Sequence, residues 1–113
     1  MTAEVKTRAV VANLDEARAA IEAARSRGVA VELESPRDAA STYGVLWFAE
    51  LNRLLAAEFP DDGFVLTLDC GDRADLGHAA LVEGLKRIRF RGHQDAGRAL
   101  RDIAAQLDAE VRE

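Results

Sequence analysis

The chain has 113 residues, 49 % hydrophobic and 31 % charged, with a net charge of −5 and one cysteine. That length and balance are those of one globular domain, 1–113. No apolar run nears the roughly 20 residues that span a bilayer, residues 1–13 lack a signal-peptide pattern, and net acidity argues against nonspecific nucleic-acid binding. A lone cysteine cannot form an internal disulfide, so a cytoplasmic setting is expected. The charge is uneven: residues 86–101 carry +5 and the remainder −10.

Residues 5–12, VKTRAVVA, read as a first strand whose second half is continuously apolar. Asn13 is a good N-cap, and Glu16 stands where a capping box places its acid. Leu14, Ala17, Ile21 and Ala24 recur at helical spacing until Gly28, a helix stop. Residues 29–34, VAVELE, alternate strictly, as in a half-exposed strand. Residues 37–44 read as a polar loop or frayed helix start, with Ser41 or Thr42 as a cap. The helix expected over 45–59 is the most apolar. Val45, Trp47, Phe48, Leu51, Leu54, Leu55 and Phe59 cover about half its circumference, wider than the usual stripe of about 100°, and Leu46 lies outside even that arc.

Residues 64–76, FVLTLDCGDRADL, hold the stretch around which the chain is organised. A buried strand, 64–68, runs into the acidic turn Asp69-Cys70-Gly71-Asp72. A helix over about 73–86 follows, with Asp72 as its expected cap. Residues 87–91, RIRFR, alternate again, with Ile88 and Phe90 inward and three arginines outward. A last helix is expected over about 95–111.

The order βαβαβαβα, with long helical connections, predicts parallel strands. Continuous apolar runs mark central strands, and alternation or charge marks edges. This places the first and third strands at the centre of a four-stranded sheet, order 2-1-3-4, flavodoxin-like, with helices on both faces. The alternative is half of a β/α barrel, order 1-2-3-4. In the 2-1-3-4 sheet, ligands bind beyond the strand carboxyl ends where the winding reverses. Asn13, Asp15, Asp69, Cys70, Gly71 and Asp72 would line that crevice.

Each chemical candidate has a plainer counterpart. Cys70 near a helix N-terminus, with His78 and Asp72, would suit nucleophilic catalysis; the plainer reading is a small buried hydrophobe, a surface histidine and a capping aspartate. Asp15, Asp69, Asp72 and Asp75 offer oxygen ligands to Mg²⁺, but helix capping accounts for Asp72 and Asp75, and no metal is expected. An aspartate ending the third strand, with acids near the first, resembles the receiver domain of response regulators in fold order only; Asn13 stands where that family has an acid pair. Arg87, Arg89 and Arg91 would suit an acidic or phosphate-bearing partner, or guard an edge strand. The cofactor is left open. The preferred expectation is an interaction module that forms a homodimer through helix 45–59; the alternative is a small enzyme or ligand-binding domain using the crevice.

Overall fold

The structure, a computed structural model, describes residues 6–113, with Lys6 by its backbone alone; the expected start of the first strand, Val5, lies outside them. Among these residues the elements run β1 (Lys6–Val10), α1 (Leu14–Arg27), β2 (Ala30–Glu34), α2 (Ala39–Thr42), α3 (Val45–Glu58), β3 (Phe64–Asp69), α4 (Ala74–Val82), β4 (Arg87–Arg89), α5 (Gln94–Gln106) and β5 (Glu110–Arg112). All neighbouring strands pair parallel, in the order β1-β2-β3-β4-β5.

Local chemistry sets the helix ends. The Asn13 side chain accepts from the Glu16 N–H at 2.8 Å, and the Glu16 carboxylate accepts from the Ala12 N–H at 2.8 Å. Gly28 closes α1 at φ 68°, a conformation glycine adopts without a Cβ clash. Neither Ser41 nor Thr42 caps α3: they belong to α2, and Gly44 at φ 99° precedes α3. The last helix is shorter than its apolar stripe suggests. It ends at Gln106, Asp108 turns at φ 55°, and Val111 enters β5.

The strand order corrects the expected 2-1-3-4, the count of four strands, and the placement of helices on both faces. Every crossover steps one strand in the same direction. Right-handed crossovers then put all connecting helices on one face. α1 touches α3, α3 touches α4, and α4 touches α5, so they form a single layer. The extents of 41 × 35 × 21 Å fit a slab of two layers. Continuity and alternation distinguish centre from edge only when both faces are covered. With one face open, an interior strand alternates too. β2 shows it: Val31 and Leu33 are buried, while Glu32 and Glu34 face the open side. β4 is likewise interior, paired with β3 and β5, and its arginines guard no edge. The edge strands are β1, where Val10 is 63 % exposed, and β5. The consecutive order also removes the likeness to receiver domains.

The core lies between sheet and helix layer. Val31, Leu33, Leu66, Leu68, Ile88 and Phe90 meet Ile21, Phe48, Leu55, Leu81 and Leu100. Within α3, Val45, Phe48, Leu51 and Leu55 are buried, and Phe48 packs edge-on to Tyr43 with centroids 6.0 Å apart. Burial of each such side chain stabilises by roughly 1.5–3 kcal/mol.

Candidate functional site

The sheet has no reversal of winding, so the crevice expected between the first and third strands does not form. β2 stands between them, separating their ends by about 10 Å. Asn13 caps α1, and Asp15 is almost fully exposed beside Arg18. The structure therefore separates these two from Asp69, Cys70, Gly71 and Asp72.

What does form at the strand carboxyl ends is a cluster built from the loops after β2, β3 and β4. Asp69 ends β3 with its side chain on the open face and is only 7 % exposed. Both its carboxylate oxygens accept from Arg91, at 2.8 and 2.9 Å, and one also accepts from the Gly71 N–H at 3.0 Å. The Asp69 N–H donates to the Ser35 hydroxyl at 2.9 Å. Arg91 donates its own N–H to the Gly71 carbonyl at 2.7 Å and reaches Asp38 at 3.4 Å. Burial alone would raise the Asp69 pKa. The Arg91 guanidinium and the Gly71 and Asp38 backbone N–H groups outweigh it and hold the carboxyl below its ordinary range. Arg37, Asp38, Gly71, Asp72 and Arg91 line an open depression of about 330 Å³ beside this pair.

The reactive candidates are dispersed. Cys70 is 1 % exposed, and its side chain points into the core with Sγ 3.7 Å from the Leu68 carbonyl. Burial, then the charges of Asp69 and Asp75, push its thiol up to about 12, which opposes the thiolate that nucleophilic attack needs. His78 is exposed on α4. Asp72 is exposed and is not the cap of α4: Arg73 holds that position without a side-chain bond. Asp75 pairs instead with Arg73. Among the described residues no group of three His, Cys, Asp or Glu side chains is placed to hold a metal ion.

The open sheet face carries a lattice of ion pairs. Arg87 bonds Glu32 at 2.7 Å and also Glu110; Arg89 bonds Glu34; Arg112 lies 3.6 Å from Glu32; and Arg8 lies 3.5 Å from Glu32. Arg87 and Glu32 retain only 12 and 13 % of their side-chain exposure. Sequence spacing placed the three arginines on one face; it did not show that Glu32, Glu34 and Asp69 share that face. Opposite charges at i, i+2 spacing on two strands were the available signal. Ser35, Arg37 and Asp38 carried none beyond their turn residues.

A second surface lies on the helix layer. Leu46, Trp47 and Leu54 of α3 are 69, 47 and 38 % exposed, and Val82 of the adjoining α4 is 63 % exposed. Trp47 directs its indole N–H to the Ala12 carbonyl at 3.3 Å, which fixes the ring against the loop after β1. Leu46 borders a shallow groove with Ala49, Asn52, Arg53 and Glu83. No family model matches the chain, and no curated protein sequence matches it. No helix among the described residues is long and apolar enough to cross a membrane.

Proposed function

We propose that this chain is a non-enzymatic interaction module of the cytoplasm that self-associates through α3. The observation that carries the reading is the exposure of Leu46, Trp47 and Leu54 on one helix whose opposite side already fills the core. Apolar surface grouped in this way marks interaction sites. A twofold dimer hides the same patch on both subunits and is the commonest symmetric solution.

The alternative, an enzyme or ligand-binding domain at the strand ends, draws less support. Its buried acid, Asp69, is already bonded by Arg91 and Gly71, and its thiol is held protonated. An acidic or phosphate-bearing partner at Arg87, Arg89 and Arg91 draws less support for the same reason, since each faces a carboxylate. Sedimentation equilibrium at micromolar concentration tests the preferred reading. The wild-type chain is expected at twice the chain mass, and Leu46→Glu at the chain mass with an unchanged circular dichroism spectrum. A monomeric wild-type chain overturns it.

A further inference from the structure

The charges along α3 are self-complementary in one direction only, and we infer that two copies pair through this helix antiparallel, with Glu50 of each facing Arg53 of the partner subunit. This inference rests on the self-association reading and specifies the partner as a second copy in a defined register. Opposite the buried row, Leu46, Glu50, Arg53 and Ala57 form the exposed outer stripe of α3, spaced four, three and four residues apart. That spacing keeps side chains on one helical face. Within one chain, Glu50 and Arg53 form an ion pair, and both side chains stay more than half exposed. They stand between the two apolar members of the stripe, Leu46 at one end and Ala57 at the other.

Antiparallel pairing centred between Leu51 and Asn52 brings Leu46 against Ala57 of the partner subunit. The same register brings Glu50 to Arg53 of the partner subunit. Each ion pair inside a chain then joins its symmetry mate in a ring of four alternating charges. At each end of the contact a leucine, Leu46, meets an alanine, Ala57, which leaves room for helices to approach to the 8–10 Å of ordinary packing. A parallel twofold pair does the opposite. It sets Glu50 against Glu50 and Arg53 against Arg53, and like charges across an interface are strongly unfavourable.

Charge reversal separates the possibilities. E50R and R53E should each weaken the dimer at least about tenfold in Kd. The double variant E50R/R53E should recover wild-type affinity. A one-to-one mixture of E50R and R53E should form a heterodimer. Neither single variant retains the ion pair within its own chain, so recovery in the mixture reports contacts between subunits. All positions are exposed, and circular dichroism confirms that each variant folds. If both single variants keep wild-type affinity while Leu46→Glu dissociates the dimer, α3 is still the interface but the antiparallel register is wrong. Loss of affinity in the single variants without recovery in the double variant or the mixture also overturns the register. A monomeric wild-type chain removes the underlying reading as well.

Discussion

Glu32 and Arg87 meet at 2.7 Å although β3 lies between their strands. The register sets Glu32 beside Val65 and Arg87 beside Thr67, so the two side chains reach over β3 from opposite sides, and Thr67 beneath this face is 3 % exposed. A parallel sheet normally needs a layer on each face. Here long charged side chains lying flat take the place of the second layer, and the charges neutralise one another.

Removal of one member should therefore be felt as lost cover and lost pairing together. Arg87→Ala is expected to destabilise by about 1–3 kcal/mol, measured by urea denaturation. Arg87→Met keeps most of the stem and should lose less. Equal losses in the two variants would assign the effect to charge alone.

The same lattice predicts an acid-sensitive fold. Burial alone would raise the Glu32 pKa, but Arg87, Arg112 and Arg8 outweigh it and hold the carboxyl below its ordinary 4.5. Asp69 and Glu110 are shifted in the same direction. A carboxyl depressed in the folded state adds stability that is present above its ordinary pKa and disappears as pH falls through the folded value. Stability should thus drop on acidification below about pH 4.5, with a shallower slope for Glu32→Gln. Thermal melts from pH 7 to pH 3 read both slopes, and identical slopes would contradict the assignment.

Asp69 should matter more than any other acid near the strand ends. Asp69→Ala strands the half-buried Arg91 guanidinium and frees the Gly71 N–H, with an expected loss of about 2–4 kcal/mol. Asp72→Ala should change stability by less than about 0.5 kcal/mol, because Asp72 is exposed and caps nothing. The pair of variants, compared in one denaturation series, checks the ranking.

Gly71 gives a backbone prediction. It sits at φ 57°, and a Cβ there would approach the Asp38 Oδ1 to 2.2 Å. Asp38 is exposed and can rotate away, so Gly71→Ala should cost mainly the left-handed conformation, about 1–2 kcal/mol. Asp38→Ala in the same background should recover little of that loss.

Cys70 should be silent until the fold opens. With the thiol buried and its pKa pushed up to about 12, a disulfide reagent at pH 8 should label the native chain only through the small population in which the fold is open. Added urea should accelerate labelling in proportion to the unfolded fraction. Rapid labelling without denaturant would place the side chain at the surface.

Much of the chain was legible by itself because the responsible forces act within a few residues. Asn13 and Glu16 box the start of α1, Gly28 ends it, and the apolar row of α3 fixes which side of that helix faces inward. The repeating strand–helix order fixed parallel pairing, since a helical crossover returns the chain in the same direction. Strand order, by contrast, was decided only in three dimensions. Alternation in β2 and β4 has the same appearance at a solvated edge and on the open face of an interior strand. What separates these cases is the pairing of Glu32 and Glu34 with Arg87 and Arg89, residues 55 apart in the chain. β5 was hidden for a related reason: Leu107 and Val111 continue the helical period, and only pairing with β4 makes the last three-residue strand preferable. The surroundings of Asp69 were set in the same way. Its place at the end of a buried strand could be read locally, but its charge partner Arg91 and its hydroxyl partner Ser35 come from the loops after the neighbouring strands, which sequence distance does not encode.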